Sequence, residues 1–556
     1  MDSQNNAAGG YCWGAPLTYY HGSILQIEWT AQHGCGTGHN NVDCNFVLQY
    51  LCGADVRDGT LDERIPLDEN RNNLGTNGAY LYGMHESFEF YTNCSLRRRN
   101  NGLFAADRIS RGNLNPKGPA TNTRQNNNGA RSGYECPEER DYYPYWHPAP
   151  WKDIAVITSN VGRCSYYRTE SQNVKPRNLC SLPENNNPVD CAAAGGTWDE
   201  YPAWGIAAPE CVSAEWNRDN HLGNSRSGMT NIYRWVIPTL GSAADGENCV
   251  FRLRYNISAG DYLAWQHIDS NSDMVDARFN DKSSPVKQNP TLQVGDWNYT
   301  LALNTNQYGR TFEDRSHVFH IYPRPANVSA AGRIINLNVR GRRGNIVQAY
   351  PAVEYDFSPN NLQVNQGDYV HFQWTGCDFN QPGAAGEGTD KTDRHNFVIL
   401  KGNEGRRNYP ANLDEQTFMP VDVMEEFAHV GQPTRWCDND TDAGCCLTSE
   451  QIQTVTNANQ DERNCNKLNA GQAYFDGGLR QMSVTGTWNY YSTRNNNFTN
   501  RSQKAQITVN PLIPWWGVAF VAVGGAGFVG GAVVAVLVWY AKAHPGSAAA
   551  NYNLKI

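Results

Sequence analysis

The stretch Tyr355–Thr375, YDFSPNNLQVNQGDYVHFQWT, reads as two β-strands joined by a turn. Its middle, Asn365–Asp368, has the sequence N-Q-G-D, a composition that is typical of turns. Val370, Phe372 and Trp374 then alternate with polar residues. Such alternation is typical of a strand with one face in a hydrophobic core, so the stretch predicts a sheet with a buried face.

Two such strand patterns occur twice in the chain. The apolar positions of Gly22–Thr30, GSILQIEWT, align with those of Gly367–Thr375, GDYVHFQWT. In the same way, Cys44–Tyr50 aligns with Cys249–Tyr255. The repetition predicts a mainly β chain built of tandem β-sandwich units.

Length and composition fit this prediction. The chain has 556 residues, which is room for three or four domains. Only 40% of the residues are hydrophobic, but 11% are aromatic, and large rings can still fill the cores of β-rich domains. The net charge of −9 argues against nucleic acid or an anionic membrane surface as a partner.

The cysteines and the N-x-S/T sequons indicate an oxidising, extracellular compartment. All 16 cysteines precede the C-terminal apolar run and none forms a C-x-x-C pair, so we expect up to eight disulfides and no zinc ribbon. Glycosylation candidates are the sequons at Asn93, Asn256, Asn298, Asn327, Asn439, Asn497 and Asn500.

The uncharged run Trp515–Tyr540 predicts a transmembrane helix. At about 1.5 Å per residue it is long enough to cross a bilayer with some tilt. Aromatic residues stand at both of its ends, as in an interfacial belt. The cysteines and sequons then place residues 1–513 outside the cell and 541–556 in the cytosol. A G-x-x-x-G pair, Gly527 and Gly531, would permit close helix pairing and a homodimer.

This topology requires a signal peptide. The first residues, Met1–Asn6, contain no apolar segment of the kind that such peptides carry. We therefore expect the signal peptide to be missing from this sequence.

The last predicted sandwich unit, residues 347–510, resembles a cupredoxin. That family has an opening strand, a Gly-Asp turn before a V-x-F-x-W strand, a histidine, and a closing hairpin. The matching segments are Tyr355–Val364, Gly367–Trp374, Asp393–Val398 and Gly486–Val509.

The resemblance implies a mononuclear copper site with two His, one Cys and usually one Met. The first histidine corresponds to His395, but Ser492 occupies the cysteine position. The second histidine falls in Asn495–Asn497, and Phe498–Ile507 contains no methionine. We therefore predict a copper-free sandwich without a cofactor, in which His395 is a structural histidine.

An aromatic cluster follows the cysteine at position 136. It could form a stacking platform for sugars, or it could simply pack tightly against its own unit. Its residues are Tyr142, Tyr143, Tyr145, Trp146 and Trp151.

Carboxylates stand beside this cluster at Glu138, Glu139 and Asp141. An acid and base pair would need two such groups in one cleft, but these lie in a proline-bounded loop next to Arg140. We expect them to form structural ion pairs. No G-x-S-x-G motif marks a nucleophilic serine, so no catalytic residue is predicted.

Longer stretches resemble the "DD three-three" family of eukaryotic cell-surface or secreted proteins. They are Asp2–Asn6, Gly22–Thr30, Tyr82–Glu86, Cys136–Trp151, Asp153–Val156, Ser171–Lys175, Thr311–Phe319, Asn338–Asn345, Val353–Thr375 and Tyr491–Phe498. The resemblance covers nearly the whole predicted ectodomain in order. It implies a protein at the cell surface or outside the cell, preceded by a signal peptide, and it brings no catalytic residues.

The predicted organisation has six parts. These are a β-rich unit at 1–180, a cysteine-containing insert or linker at 181–212, a second sandwich at 213–346, the cupredoxin-like sandwich at 347–510, the transmembrane helix at 514–540 and a cytosolic tail at 541–556.

These observations predict a type I single-pass membrane glycoprotein with a non-enzymatic role in adhesion, matrix contact or ligand binding. Its expected partners are the membrane and an extracellular protein or glycan. The alternatives are a metal-dependent surface oxidoreductase of cupredoxin type and a glycan-binding receptor that uses the aromatic cluster.

Overall fold

Strands make up most of the regular structure in the computed structural model. The described residues are 16–53, 56, 90, 93–94, 96–97, 136, 138–139, 143–219, 223–240, 247–259, 291–300, 310–316, 318–341, 355–375, 394–402, 409–439, 441–458, 461–494 and 503–512. The mainly β prediction is confirmed.

The strands are numbered in chain order. They are β1 (Leu17–Tyr20), β2 (Ile24–Trp29), β3 (His33–Cys35), β4 (Val42–Cys52), β5 (Lys152–Thr158), β6 (Arg177–Cys180), β7 (Trp198–Tyr201), β8 (Glu210–Ser213), β9 (Asn217–Asp219), β10 (Asn231–Val236), β11 (Glu247–Ala259), β12 (Thr291–Val294), β13 (Trp297–Thr300), β14 (Arg310–Arg315), β15 (Phe319–Tyr322), β16 (Ile334–Gly341), β17 (Tyr355–Ser358), β18 (Asn361–Asn365), β19 (Tyr369–Thr375), β20 (Val398–Ile399), β21 (Tyr474–Gln481), β22 (Gly486–Tyr491) and β23 (Lys504–Asn510). The α-helices are α1 (Cys164–Glu170), α2 (Pro188–Ala193), α3 (Val421–His429) and α4 (Ser449–Thr454), and Val161–Arg163 and Cys465–Lys467 are 3₁₀ turns.

The chain divides into two compact units. The first consists mainly of Glu28–Ile232 and Glu247–His320. The second consists of Gly14–Ile27, Tyr233–Gly246 and the residues from Ile321 onward. Each unit therefore draws on segments that are far apart in sequence.

The first unit is built on a sheet in which β4 lies between β11 and β5, with β14 on the far side of β11 and β8 beyond β5. The strand β4 is buried on both faces from Cys44 to Tyr50. It pairs antiparallel with β11 in a register that places Phe46 opposite Tyr255, and a disulfide joins Cys52 to Cys249. The two similar strands are thus neighbours in one sheet.

The predicted domain boundaries at 180 and 212 consequently fall among the strands of one sheet, and the boundary at 212 lies within β8. Similar patterns in β4 and β11 reflect two strands that bury residues in the same core, and they do not mark two separate sandwiches. The insert predicted at 181–212 likewise supplies β8, which pairs in parallel with β5.

The second unit contains two sheets. One has the order β10-β2-β16-β19-β21, with β17 also paired to β16, and the other has the order β18-β23-β22-β20. The repeated strands β2 and β19 flank the same strand, β16, and both run parallel to it. Residues from both sheets and from α3 form one hydrophobic cluster, in which Leu337, Phe357, Phe372 and Phe427 are fully buried.

Seven disulfides join described residues, which confirms the disulfide-rich prediction. They are Cys35–Cys44, Cys52–Cys249, Cys94–Cys136, Cys164–Cys211, Cys180–Cys191, Cys437–Cys445 and Cys446–Cys465. The last two tie together a cysteine-rich excursion, residues 431–472, that precedes β21.

In the described part of the chain, no helix has the length and apolar character needed to cross a membrane. The predicted span Trp515–Tyr540 and its Gly527 and Gly531 lie outside the described residues, so these predictions stay predictions.

We expect Trp374→Ala to lower the free energy of unfolding of the second unit by about 3–5 kcal/mol, because it opens a cavity in the core. The side chain of Trp374 is 1% exposed, and its indole stacks on Phe475 with 4.8 Å between ring centroids. Urea unfolding followed by circular dichroism measures the loss.

The matched control is Trp436→Ala, since Trp436 is in the same unit and is 62% exposed. Its effect should stay within about 0.5 kcal/mol. Equal losses for the two variants would contradict the assignment of Trp374 to the core.

Candidate functional site

The residues that correspond to a cupredoxin copper site converge at one end of the second unit. His395 precedes β20, Ser492 directly follows β22, and Gln503 directly precedes β23. β20 and β23 both pair with β22, so neighbouring strand ends bring the three side chains together. All three are buried, with 3%, 1% and 1% of their surfaces exposed.

The imidazole of His395 is held by a hydrogen bond. Its Nδ1 lies 2.9 Å from Oε1 of Gln503, and because an amide oxygen can only accept, Nδ1–H is the donor. Burial lowers the pKa of His395 to about 3; the hydrogen bond with Gln503 opposes this shift, and Arg494 and Arg394 add to it. The histidine is therefore neutral at physiological pH.

Ser492 and Asn396 link the segment that follows β22 to the segment that precedes β20. The backbone N–H of Asn396 points to Oγ of Ser492 over 3.4 Å, and that hydroxyl lies 3.4 Å from Oδ1 of Asn396. A firmer bond runs from the backbone N–H of Thr493 to Oδ1 of Asn396, at 2.8 Å. The asparagine amide, rather than the serine hydroxyl, therefore carries most of the polar contact here.

Two buried arginines lie beside this site. Arg394 and Arg494 are each 1% exposed. Arg394 donates to the backbone oxygen of Gly471 at 2.9 Å, and Arg494 donates to Oδ1 of Asn469 at 2.7 Å. The cysteine-rich excursion thus accepts hydrogen bonds from both cations, and both cations raise the electrostatic potential at His395.

The described residues do not fit a mononuclear copper ion. Such a site needs a thiolate and two imidazoles, whereas this one offers one imidazole engaged with Gln503 and the hydroxyl of Ser492. Two neighbouring guanidinium groups would also repel a bound cation. Sequence analysis predicted His395 and Ser492, but it missed Gln503, Arg394 and Arg494.

Family comparisons identify the two domains. The model of the DD3-3 N-terminal domain matches residues 1–321, and that of the DD3-3 cupredoxin-like domain matches residues 332–509. The chain belongs to the DD3-3 family. The family resemblance and the cupredoxin-like assignment drawn from the sequence are therefore confirmed.

Solved cupredoxins are also similar to part of this DD3-3 chain. The oxidised plastocyanin from Dryopteris crassirhizoma has 16% identity and a TM-score of 0.13, covering 32% of this chain and 99% of its own. Auracyanin B has 14% identity and a TM-score of 0.15, covering 34% and 94%. TM-scores this low support no inference about the present chain. No curated protein matches the chain.

Three rings of the aromatic cluster are buried in the structure. Tyr143, Tyr145 and Trp151 are 8%, 7% and 1% exposed, and Trp146 is partly buried. Stacking on a sugar needs an open ring face, so burial favours the tight-packing interpretation for Tyr143, Tyr145 and Trp151. Tyr142 lies outside the described residues.

These rings surround a buried polar network that sequence analysis missed. The guanidinium of Arg252 lies 3.9 Å from the ring centroid of Trp151 and donates to Glu139 at 3.0 Å and to Gln49 at 2.8 Å. Glu139 is thus in a structural ion pair, as predicted, but with Arg252. The signal in the sequence for a buried cation here was the F-R-L-R-Y pattern of β11, because it places two arginines on one face of a strand.

Asp153 forms the second half of this network. Its carboxylate accepts hydrogen bonds from Gln49 at 2.7 Å, from Tyr143 at 3.0 Å and from Ser171 at 2.5 Å. Burial raises the pKa of Asp153, and these hydrogen bonds limit the rise. The residue is only 8% exposed and its carboxylate is engaged by these three donors, so we assign it a structural role.

The sequons differ in accessibility. Asn298, Asn327 and Asn439 are exposed, and Asn93 is partly buried. Asn256 is 3% exposed and its Oδ1 accepts from Thr311 at 2.9 Å, so the prediction of a glycan there is wrong for the folded chain. Asn497 and Asn500 lie outside the described residues.

We expect His395 to make stability depend on pH. Its folded-state pKa of about 3 lies below the unfolded value near 6.5, so the unfolded chain alone takes up a proton as the pH falls through 6.5. Stability is full above pH 6.5 and declines toward pH 3 by about 1.4 kcal/mol per pH unit. Urea unfolding at pH 7 and pH 5 should show a loss of about 2 kcal/mol from this residue.

The variant His395→Gln should lack this loss of stability between pH 7 and pH 5. The variant His429→Gln, at an exposed position of the same unit, should retain it. If wild type and His395→Gln lost the same stability between pH 7 and pH 5, the neutral buried state of His395 would be refuted.

Proposed function

We propose that this chain is a type I single-pass membrane glycoprotein with a non-enzymatic role at the cell surface, in adhesion, matrix contact or ligand binding. Its cupredoxin-like domain is then a scaffold without copper. The observation that carries the proposal is Ser492 at the thiolate position, next to a neutral His395 that is hydrogen-bonded to Gln503.

Electrostatics support the same conclusion. A copper site stabilises a cation with an anionic thiolate. Here the hydroxyl of Ser492 supplies no negative charge, while Arg394 and Arg494 both act on His395 as positive charges. A redox role would therefore need other ligands, and the donor set on these strand ends does not supply them.

An extracellular location is supported by the cysteines and the sequons. Disulfides persist in oxidising compartments, and seven of them join described residues. Three sequons are exposed, and at Asn439 the side-chain oxygen accepts from both the backbone N–H and the hydroxyl of Thr441. The apolar run Trp515–Tyr540 would anchor the chain, and Gly527 and Gly531 would permit a homodimer.

Metal analysis separates this proposal from the oxidoreductase alternative. After incubation with Cu²⁺ and washing with a chelator, we expect the purified full chain to retain far less than one copper per chain. A cupredoxin with an intact copper site, treated in parallel, should keep its metal. One copper per chain, lost in His395→Gln, would reverse the assignment.

Glycan mapping tests the extracellular part of the proposal. In cells that display the chain, glycosidase treatment should lower its apparent mass, and Asn439→Gln should remove one glycan. Asn256→Gln is the matched control and should leave the glycan number unchanged, because Asn256 is buried against Thr311. A chain without N-glycans, or a glycan lost with Asn256, would contradict these assignments.

A further inference from the structure

The Cys94–Cys136 disulfide lies against a histidine and a carboxylate in the first unit. Nε2 of His147 is 3.2 Å from Sγ of Cys136, 3.8 Å from Sγ of Cys94 and 2.8 Å from Oε2 of Glu138. In the described part of the chain, the two cysteines and His147 are the one group of three such residues whose ligand atoms lie within 4.8 Å of one another. All four side chains are buried.

We infer that these four residues form a redox-gated zinc site. As a disulfide, the two sulfurs cannot bind zinc as thiolates. Once reduced, they would supply two thiolates beside one imidazole and one carboxylate, which is a tetrahedral ligand set of the kind that Zn²⁺ takes in proteins. The inference is independent of the proposed surface role.

The orientation of His147 is already that of a metal ligand. Its Nδ1 lies 2.6 Å from the backbone oxygen of Pro148, and because that oxygen can only accept, Nδ1–H is the donor. Histidine ligands are commonly oriented by such a bond on the second ring nitrogen. The bond leaves Nε2 to face the two sulfurs and Glu138.

The ligand separations suit a small tetrahedral ion. Bonds of about 2.0–2.3 Å place neighbouring ligand atoms roughly 3.3–3.8 Å apart. Nε2 of His147 has the two sulfurs at 3.2 and 3.8 Å, close to such distances, and Oε2 of Glu138 at 2.8 Å. Zinc binding therefore requires the S–S bond to open and the contact between His147 and Glu138 to widen by roughly 0.5 Å. The Cα atoms of Cys94 and Cys136 are 5.5 Å apart, which places both side chains within reach of one ion.

Charge and shielding also suit the site. Two thiolates, one carboxylate and Zn²⁺ carry a net charge of −1, and the buried Arg97 is electrostatically coupled to Glu138. The ring centroid of Phe90 is 6.1 Å from that of His147, and the Tyr145 ring is 6.5 Å away on a nearly parallel plane. A ring-lined, buried shell of this kind limits water access to a metal.

The binding step is balanced with a dithiol as reductant. The dithiol is oxidised to its cyclic disulfide while the Cys94–Cys136 bond breaks and gives two thiols. Zn²⁺ then displaces both thiol protons, and it also displaces the proton shared between His147 and Glu138, whose facing atoms 2.8 Å apart require one. Three protons are released to solvent for each zinc bound.

The test is thiol protection in the full chain. The protein is reduced with dithiothreitol, freed of it under argon, and alkylated with and without Zn²⁺ before peptide mapping. We expect zinc to slow alkylation of Cys94 and Cys136 at least ~10-fold and to leave Cys180 and Cys191, the control disulfide, unchanged. Proton release in weak buffer should approach three per zinc.

The variant His147→Ala should bind zinc at least ~10-fold more weakly than wild type. Undiminished protection in His147→Ala, or equal protection of Cys180 and Cys191, would overturn the site. Should reduction unfold the chain, refolding it reduced with zinc gives a second measurement. One zinc in wild type and none in Cys94→Ser supports the site, and a zinc-free wild type refutes it.

Discussion

The desolvation of charged side chains is the constraint on which both units depend. A cation taken out of water is stable only where opposing charges or oxygen atoms surround it. Arg252 lies inside the first unit because Glu139, Gln49 and the ring of Trp151 contact it together. Removing Glu139 alone would leave a buried unpaired charge, a change that typically lowers stability far more than the pair raises it. Tyr143, Tyr145 and Trp151 are buried against this network.

Local pattern was enough to predict the strands but not their partners. Alternating residues predicted Gly367–Thr375 as a strand, and the structure has β19 at Tyr369–Thr375. The same pattern predicted β2, β4 and β11. Period-two alternation specifies which face of a strand is buried, but it does not specify the neighbouring strand. Two similar strands can therefore belong to two domains or lie in one sheet, and here β4 and β11 are paired directly.

Local sequence also limits the prediction of side-chain contacts, as the candidate site shows. Ser492 was predictable because the closing hairpin of a cupredoxin has a recognisable sequence and the thiolate position can be counted along it. Gln503, Arg394 and Arg494 were not, because their roles depend on contacts across the fold. The clearest example is Arg494, whose acceptor Asn469 lies in the cysteine-rich excursion. An arginine in a polar stretch of sequence has no local pattern that predicts the burial of its guanidinium.

If the cupredoxin-like domain holds no copper, as we propose, protein contacts alone must hold this end of the sandwich together. The N–H of Asn396 lies 3.4 Å from Oγ of Ser492, longer than the 2.7–3.2 Å of an ordinary N–H···O bond, so this bond alone would hold the loops weakly. Further polar contacts stabilise the same region: His395 is hydrogen-bonded to Gln503, and carbonyl and amide oxygens of the excursion accept hydrogen bonds from Arg394 and Arg494. The excursion is then a structural part of this end of the domain.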